Sequence, residues 1–336
     1  MHAGIENMRA QMIIHLQGYF TMKTKIFIDG SEGTTGLRIH ERFQERDDIE
    51  LLTISSDLRK DISERKRLIN ESDIVFTCLP DAAAIESVSL VENENVRIID
   101  PSTAHRTEEG WAYGFPELSD GHRSAIQNGK RVAVPGCHAT GFISLVYPLV
   151  ADGILPPDYP VSSFSVTGYS GGGKKMISEY EEENRPQEYN APREYALSQQ
   201  HKHLKEMKKI AKLKKEPLFS PIVADYYSGM LVSVPLYAEL LKDSPTPEKL
   251  QEFFADYYAG ERFIRVMPYG AEAANNGFLG GNVRSGWDGL EIYVTGNPDR
   301  ILLSARFDNL GKGASGAAIQ CLNIMLGCEE DKGLNL

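Results

Sequence analysis

Cysteine is scarce in this chain of 336 residues, which holds only Cys78, Cys137, Cys321 and Cys328. Four scattered thiols are too few for a disulfide scaffold, and no pair of them has the spacing of zinc ligands. Free thiols are typical of a reducing compartment. We therefore expect a cytoplasmic protein with no structural disulfide and no bound metal.

Long apolar runs and an excess of basic residues are also missing. No apolar stretch approaches the length of a membrane-spanning helix, and the patch around Met12 is too short for a secretory signal. The 36 Lys and Arg face 47 Asp and Glu, a net charge of −11, which argues against a general nucleic-acid binder. We expect neither a membrane nor a nucleic acid as partner, and we interpret residues 1–22 as an N-terminal extension.

What the chain does hold is an alternation of short apolar strands with charged helices. Strands are predicted at 25–29, 50–55, 73–79, 96–100 and 132–134, with helices between them. This order predicts a parallel, doubly wound sheet. After Pro148 the pattern changes, because the strand candidates at 162–167, 229–236, 262–267 and 291–295 are separated by turns and polar helices. That part predicts an α+β domain with an antiparallel or mixed sheet.

A glycine pattern, Gly30-x-x-Gly33-x-x-Gly36, joins the first predicted strand to a helix. Glycines allow a tight turn and a close approach of the backbone to a pyrophosphate, and the helix start supplies amides and a positive dipole end. The pattern alone is weak evidence. Its place between a strand and a helix favours nucleotide binding over a plain structural turn.

The end of the second predicted strand bears on the choice between NAD and NADP. Ser55 and Ser56, with the nearby cations Arg59 and Lys60, could hold a 2′-phosphate. Asp57 is a signal in the other direction, because an acidic residue there suits the ribose of NAD. We interpret the segment as an NADP site, and a solvated charged turn stays open as the alternative.

Cys137 is the candidate nucleophile. It follows a predicted strand and stands at the first turn of a predicted helix, where backbone amides lower the pKa of a thiol and can hold an oxyanion. On position alone a buried structural cysteine is equally open. Its candidate partners are His201 and His203, in a segment that runs to Glu206 and is predicted as a turn leading into a helix. The alternative for that segment is an exposed basic stretch.

Three further motifs suit anions. Residues 167–175 form a glycine-rich loop with hydroxyls and a lysine, for which a flexible loop is the alternative. Residues 308–316 place glycines before a helix, with Lys312 available for a phosphate. Arg106 follows the fourth strand, at the edge where α/β folds bind ligands, and could grip a carboxylate; a surface ion pair is the alternative.

Together these motifs resemble the N-acetyl-γ-glutamyl-phosphate reductases of arginine biosynthesis, in their shorter second type. The resemblance runs from about residue 23 to residue 327. It is carried by Gly33–Gly36, Cys78–Asp81, Asp100–Arg106, Tyr113–Glu117, Pro135–Cys137, Gly168–Lys174, His201–His203 and Asp308–Gly316. Single motifs among these are weak, whereas the set is highly specific.

The resemblance implies a fold like that of aspartate-semialdehyde dehydrogenase. An NADP-binding Rossmann domain would comprise residues 23–136 and 307–336, and an α+β catalytic and oligomerisation domain residues 137–306. The implied reaction is the reduction by NADPH of a small acyl phosphate, N-acetyl-glutamyl 5-phosphate, to the 5-semialdehyde and phosphate. A homo-oligomer, either a dimer or a tetramer, is also implied.

The resemblance further implies roles for single residues. Cys137 would form a thioester, and His201 would be its acid/base partner. The implied substrate-binding residues are Arg106, Ser170, Gly171, Lys174, His203 and Glu206. The implied cofactor-binding residues are Gly30, Gly33, Thr34, Thr35, Gly36, Ser55, Pro80, Ser102, Asn309 and Lys312. This chain departs from the family pattern after the nucleophile, where His138-Ala139 replaces Tyr-Pro, and His138 could alter the local proton chemistry.

Three rivals stay open at this point. Aspartate-semialdehyde dehydrogenase shares the chemistry and the fold. A reductase of a carrier-linked substrate in lysine biosynthesis would want a basic docking patch for its acidic carrier, and the sequence does not predict such a patch. A non-catalytic NADP-binding sensor is the third rival, and the joint presence of Cys137 and His201 argues against it.

Overall fold

The computed structural model describes residues 23–336, so the predicted extension of residues 1–22 lies outside the described residues. The first sheet has six strands, and every neighbouring pair is parallel. Its strands are β1 (Thr24–Asp29), β2 (Ile49–Leu52), β3 (Ile74–Thr77), β4 (Arg97–Asp100), β5 (Ala112–Tyr113) and β6 (Arg131–Ala133). The predicted parallel, doubly wound sheet is confirmed.

The strand order in this sheet is β2-β1-β3-β4-β6-β5. The chain moves from β1 to β2 on one side and then to β3 on the other side. This reversal creates a crevice at the carboxyl ends of β1 and β3, the place where open α/β sheets bind ligands.

Four helices connect these strands: α1 (Thr34–Phe43), α2 (Ile62–Glu71), α3 (Asp81–Ser89) and α4 (Asp120–Asn128). Side-chain caps define two of their starts. Asp61 accepts the amide of Glu64 ahead of α2, and Ser119 accepts the amide of His122 ahead of α4. The cap at Asp61 fixes the start of α2 at Ile62.

The second sheet is mixed, as predicted, and has seven strands in the order β11-β12-β13-β10-β7-β9-β8. They are β7 (Ser162–Gly168), β8 (Arg193–Glu194), β9 (Leu218–Ala224), β10 (Met230–Tyr237), β11 (Ile264–Val266), β12 (Leu290–Gly296) and β13 (Arg300–Phe307). The pairs β7–β9 and β11–β12 are parallel, and the others are antiparallel.

The helices of this second part are α5 (Cys137–Ala151), α6 (Gly173–Glu181), α7 (Leu204–Ile210) and α8 (Pro247–Tyr257). Helix α5 is buried from His138 to Val150 and packs against β10 and β13. Its central position fixes the residue at its start, Cys137, at the junction of the two sheets.

The last helix, α9 (Gly316–Leu326), returns to the first sheet. Its Ala318, Ile319 and Leu322 share a core cluster with Ile26 of β1 and Ile99 of β4. A π-helical turn, Gly311–Ser315, precedes it. The exact domain limits given above stay a prediction. Within residues 23–336, no helix is long and apolar enough to span a membrane.

Candidate active site

A cavity of about 490 Å³ lies where the carboxyl edge of the first sheet meets the start of α5. It collects predicted site residues from both halves of the chain. Those that line it are Gly33, Thr34, Thr35, Pro80, Ser102, Arg106, Cys137, Ser170, Gly171, His201, His203 and Asn309. Predicted site residues that do not line it are Gly30, Gly36, Ser55, Lys174, Glu206 and Lys312.

Cys137 is the first residue of α5, with Gly136 as the N-cap, as the sequence predicted. Burial raises the pKa of its thiol, whereas the charges of Arg106 and Lys202 and the amide of His138 lower that pKa. The net direction is upward. The predicted lowering of the pKa by a helix-start amide is present, but desolvation outweighs that amide and the two cations.

The buried carboxylate of Glu206 binds the turn that precedes Cys137. Its Oε1 accepts the backbone N–H of Gly136 at 2.9 Å and the hydroxyl of Tyr113 at 2.7 Å, and its Oε2 accepts Nη1 of Arg106 at 3.1 Å. Glu206 is buried, with 2% of its surface exposed, and lies behind the cavity wall. We therefore interpret it as a residue that positions the site and not as a substrate ligand.

Arg106 lines the cavity and is also tied to the backbone. Its Nε donates to the carbonyl of Val134 and its Nη2 to that of Pro101, both at 2.8 Å. A guanidinium carries more N–H donors than these and the one given to Glu206. Arg106 therefore retains donors for an anionic group while its orientation is fixed.

The side chains of His203 and Arg106 pack closely against Gly136. A Cβ added there would lie 2.3 Å from Nε2 of His203 and 2.4 Å from Nη1 of Arg106. Both side chains are buried, and hydrogen bonds to the carbonyls of Val134 and Pro101 hold that of Arg106 in place. The glycine is required by this close approach and not by an unusual backbone angle.

The predicted turn before α7 carries both histidines. Nδ1 of His201 accepts the backbone N–H of His203 at 3.1 Å, so in the neutral ring the proton sits on Nε2. Burial, with Lys202 and Arg106 nearby, lowers the pKa of His201 to about 4. In the described part of the chain, no hydrogen bond joins His201 to the sulfur of Cys137. The ring rests as a neutral Nε2–H donor.

His203 is buried and neutral for the same reasons. Desolvation comes first, followed by the charge of Arg106, and together they hold its pKa well below the usual range. Its Nδ1 is buried without a hydrogen-bond partner among residues 23–336, and its Nε2 lies over the Cα of Gly136. His203 lines the cavity, as a substrate-binding residue would.

His138, the departure from the family pattern, is buried at the second position of α5. Its Nδ1 lies 2.6 Å from Oγ of Ser165, and its Nε2 lies 2.7 Å from the hydroxyl of Tyr195. Burial, with His201 and Lys202 nearby, lowers its pKa to about 3. Tyr195, which was not among the predicted site residues, also lines the cavity. Nothing in its isolated position, after a two-residue strand, signals that role.

Asn309 and Ser170, which both line the cavity, are joined by a hydrogen bond. Nδ2 of Asn309 donates to Oγ of Ser170 at 3.0 Å, and its Oδ1 accepts the amide of Gly229 at 2.8 Å. The turn that follows Asn309 touches the nucleophile, since a Cβ on Gly313 would lie 3.0 Å from that of Cys137. Segments 167–175 and 308–316 therefore both reach the cavity.

Lys312 does not take the place predicted for it. Its Nζ donates to Oε1 of Glu117 and to Oε1 of Gln320, both at 2.6 Å, and only 1% of the residue is exposed. The side chain turns into the core between the rings of Phe115 and Phe263. The structure thus places Lys312 in a buried ion pair with no path to a cofactor phosphate.

A second cavity of about 620 Å³ continues from the first, and the two share Gly33, Cys78, Leu79 and Pro80. It is lined by Gly30, whose φ of +91° a glycine tolerates, and by Ser56, Arg59 and Lys60. Ser55 is exposed and lies outside it. The two cavities form one long cleft over the glycine turn, a shape that fits a dinucleotide.

One predicted cofactor residue, Gly36, has a packing role here, and another cofactor candidate is held in an ion pair. A Cβ on Gly36 would lie 2.4 Å from the carbonyl oxygen of Gly30, so Gly36 lets α1 pack closely on the turn. Arg59, at the rim of the second cavity, is paired with Glu32. A 2′-phosphate would compete with Glu32 for that guanidinium.

A basic groove of about 550 Å³ lies on the outer face of α7 and beyond it. Lys205, Lys208, Lys209 and Lys212 line it, together with Thr107, Leu213 and Glu216. The spacing of these lysines puts them on one helical face. The expectation that the chain has no basic patch is therefore wrong, because the fold gathers residues that the sequence shows only as a charged stretch.

No group of three or more His, Cys, Asp or Glu within residues 23–336 is arranged to hold a metal ion.

Comparison with known proteins identifies the family. A model of the semialdehyde dehydrogenase NAD binding domain matches residues 10–128, and one of the semialdehyde dehydrogenase dimerisation domain matches residues 137–309. The fold is that of aspartate semialdehyde dehydrogenase from Francisella tularensis, with a TM-score of 0.69 at 15% identity over 90% of this chain and 100% of that one. Aspartate semialdehyde dehydrogenase II from Vibrio cholerae gives 0.69 at 16% identity, covering 91% of this chain and 99% of that one.

Relatives at higher identity narrow the assignment. N-acetyl-gamma-glutamyl-phosphate reductase 2 of Nostoc sp. (strain PCC 7120) is 47% identical over 320 residues, which is 93% of this chain and 99% of that protein. N-acetyl-gamma-glutamyl-phosphate reductase of Burkholderia orbicola is 45% identical over 304 residues, 90% of this chain and 97% of that protein. The resemblance read from the motifs is confirmed, and the chain belongs to the N-acetyl-gamma-glutamyl-phosphate reductase family, whose members are oxidoreductases.

Proposed function

We propose that this chain reduces N-acetyl-glutamyl 5-phosphate with NADPH to N-acetyl-glutamate 5-semialdehyde and phosphate, a step of arginine biosynthesis, through a thioester on Cys137. One observation carries the proposal: a cysteine at a helix start shares a single cavity with a dinucleotide-type glycine turn and with Arg106 and His201. Acyl transfer from a phosphate needs a group that binds the anion, a nucleophile, and a hydrogen-bond donor to the oxyanion.

The thiolate of Cys137 attacks the acyl carbon, and the bond from that carbon to the phosphate oxygen breaks. Phosphate leaves with the electron pair and takes up a proton from water, which is the one proton that the overall reduction consumes. The remaining donors of Arg106 are placed to hold an anionic group of the substrate. Bound NADPH supplies the hydride that reduces the thioester carbon. The carbon–sulfur bond then breaks, which releases the aldehyde and restores the thiolate.

His201 has a role in this reaction that needs no transfer of a proton to or from its own ring. Both tetrahedral stages carry an oxyanion, and each collapses by expelling a leaving group, either phosphate or thiolate. The Nε2–H of a neutral His201 stabilises such an oxyanion by donating a hydrogen bond. Its Nδ1 is occupied by the amide of His203, and its pKa of about 4 favours the neutral ring near pH 7. We therefore assign it as an oxyanion donor and not as the acid/base residue that the resemblance implied.

The reaction is best tested in reverse. Purified protein is given phosphate, NADP and N-acetyl-glutamate 5-semialdehyde or aspartate semialdehyde, and the absorbance of NADPH is followed. We expect turnover with the N-acetylated aldehyde. Turnover with aspartate semialdehyde alone would contradict the proposed substrate, and NADP binding without turnover of any aldehyde would support the sensor. Cys137→Ser should bind NADPH with unchanged affinity and lose nearly all turnover.

The choice of NADP over NAD rests on the cations at the rim of the second cavity. Arg59 and Lys60 line it beside Ser56, whereas Asp57 does not. Arg59→Ala should weaken NADPH binding and leave NADH binding unchanged. Glu32→Gln is the matched control, because it frees Arg59 from its partner and should strengthen NADPH binding. Equal effects of Arg59→Ala on both cofactors would contradict the assignment.

We also propose that the protein works as a cytoplasmic homo-oligomer that pairs through its second sheet. The matching model of residues 137–309 describes a dimerisation domain. On the sheet face turned away from α5, Phe164 is 49% exposed, Leu218 68% and Leu302 38%. Such an apolar sheet face is typical of an interface. Analytical ultracentrifugation should show a dimer or a tetramer, and a monomer at micromolar concentration would contradict the proposal.

A carrier-linked acyl phosphate is the second candidate substrate, and the basic groove favours it, since acidic partners bind such surfaces. The reverse assay separates the two candidates. Efficient turnover of the free N-acetylated aldehyde, unaffected by Lys205→Glu or Lys208→Glu, supports the free substrate. Turnover of a carrier-linked aldehyde alone, with loss of that turnover in those variants, would support the carrier.

A further inference from the structure

His138 is bound through both ring nitrogens, although it stands next to the nucleophile and has only 3% of its surface exposed. Nδ1 contacts Oγ of Ser165 on β7, and Nε2 contacts the hydroxyl of Tyr195. The ring remains neutral, so one nitrogen donates and the other accepts. The two hydroxyls therefore take opposite roles, and the pair of bonds fixes the orientation of the ring.

Tyr195 stands where the segment that carries His201 begins. Its backbone N–H donates to the carbonyl of Pro221 at 3.0 Å, which continues the pairing of β8 with β9. Beyond it the chain leaves the sheet through Ala196 and Gln199, both at positive φ, and Gln199 is bonded to the backbone of Phe219. The segment is thus held at its start, at its middle and at the start of α7.

The three rings of this cluster pack on one another. The ring of His201 lies 5.5 Å from that of His138 and 6.0 Å from that of Tyr195, measured between centroids. Tyr195 and His201 both line the cavity of Cys137, whereas the nitrogens of His138 are used up by the two hydroxyls. His138 therefore acts on the site through Tyr195 and through packing.

We propose that His138 is a positioning residue that, through the hydroxyl of Tyr195, sets the placement of the His201 side chain relative to the sulfur of Cys137. Cys137 and His138 are consecutive in α5, so the bond to Tyr195 ties the oxyanion donor to the helix of the nucleophile. The inference rests on the proposed function, because it concerns the donor of that reaction.

Two amide substitutions separate the two bonds of His138. An asparagine amide reaches roughly where Nδ1 lies, so His138→Asn keeps the partner Ser165 and loses Tyr195. A glutamine amide reaches roughly where Nε2 lies, so His138→Gln keeps Tyr195. Tyr195→Phe removes the same bond from the other side by deleting one oxygen atom. Ser165→Ala removes the other bond and serves as the matched control.

In the reverse assay we expect His138→Asn and Tyr195→Phe each to lower kcat by about ten- to a hundredfold, the range that a small misplacement of a catalytic group produces. KM should stay within about twofold of the wild-type value, because the groups that bind the substrate are unchanged. His138→Gln should recover most of kcat, and Ser165→Ala should lower kcat clearly less than Tyr195→Phe, because the bond from His138 to Tyr195 remains. The double variant should be no slower than either single variant, because both remove one bond.

A rise in KM at unchanged kcat in Tyr195→Phe would make its hydroxyl a substrate contact and overturn the proposal. Additive losses in the double variant would overturn it as well. Two readouts are independent of turnover. The alkylation rate of Cys137 should be unchanged in every variant, and the ring resonances of His201 in histidine-labelled spectra should shift in Tyr195→Phe. Unmoved resonances would contradict the proposal, whereas an inactive wild type with shifted resonances would contradict only the proposed function.

Discussion

Glu206 accepts the backbone N–H of Gly136 at 2.9 Å across a sequence separation of 70 residues. The carboxylate on α7 thereby holds the N-cap of the helix that begins with Cys137. The same carboxylate binds Tyr113 of β5 and Arg106. One buried side chain therefore holds the turn before the nucleophile, the anion-binding arginine and a strand of the first sheet.

Glu206→Gln should therefore destabilise the protein. The substitution leaves the guanidinium of Arg106 buried without its counter-charge, and breaking a buried pair lowers the free energy of unfolding by about 3–5 kcal/mol. Urea unfolding measures this loss. Tyr113→Phe, which removes one bond to the same carboxylate, should lower it by only about 1.5–3 kcal/mol. Equal stability of Glu206→Gln and wild type would show that the pair is not an anchor.

Gly136→Ala should lower turnover about a hundredfold while the protein still folds. Its methyl group would overlap Nε2 of His203 and Nη1 of Arg106, so the turn before Cys137 must shift. A shift of about 1 Å at a reacting atom lowers the rate about a hundredfold. The control is Gly121→Ala in α4, where an added Cβ lies 3.5 Å from Ser119 and meets ordinary contact distances. A fully active Gly136→Ala would refute the close approach.

Lys202→Gln should make Cys137 less reactive at a given pH. The thiolate is the nucleophile, burial raises the pKa of this thiol, and the charge of Lys202 lowers it. Without that charge the pKa rises further, so the pH profile of iodoacetamide alkylation moves to higher pH and the rate at pH 8 falls. Lys205→Gln, an exposed lysine in the basic groove, should leave the profile in place. Identical shifts in both variants would point to the general surface charge.

Much of this fold follows from sequence patterns. The apolar runs that predicted β1, β3, β4 and β6 are buried parallel strands, and the glycine turn lies where a strand-to-helix motif requires it. Strands of two residues, β5 and β8, carry too few residues for a periodic pattern. The start of helix α8 carries a local signal that was not used, an N-cap threonine followed by proline at Thr246-Pro247.

The site was predicted less evenly than the fold. Cys137 and His201 were both predicted, and they share a cavity. Both stand at helix starts or turns, which local sequence patterns indicate. The predicted cofactor role of Lys312 is wrong because its ion-pair partner, Glu117, is distant in sequence. A lysine among glycines gives no local sign of that partner. Tyr195 was missed because its role depends on His138, and only the packing of α5 against the β7–β9 region brings them together.

Phe164→Glu tests the proposed oligomer interface. Phe164 lies on β7 with 49% of its surface exposed, on the face turned away from α5. A charge there would be desolvated on association, so we expect the oligomer to dissociate while the circular dichroism spectrum stays unchanged. Leu240→Glu provides the comparison, because Leu240 is 46% exposed but lies outside the strands of the sheet. An intact oligomer in Phe164→Glu would place the interface elsewhere.

Lys312→Met should reduce stability and leave NADPH affinity unchanged. The variant removes the counter-charge of the Glu117 carboxylate, which is 3% exposed. Nε2 of Gln320 would still donate to Oε1 of Glu117, whose Oε2 is buried without a hydrogen-bond partner among residues 23–336. We expect a loss of about 3–5 kcal/mol in the free energy of unfolding. Adding Glu117→Gln should restore part of it, with a coupling of about 0.5–3 kcal/mol. A large loss of NADPH affinity at full stability would reinstate Lys312 as a phosphate ligand. The structure predicts the opposite, because its ammonium already binds Glu117 and Gln320 inside the core.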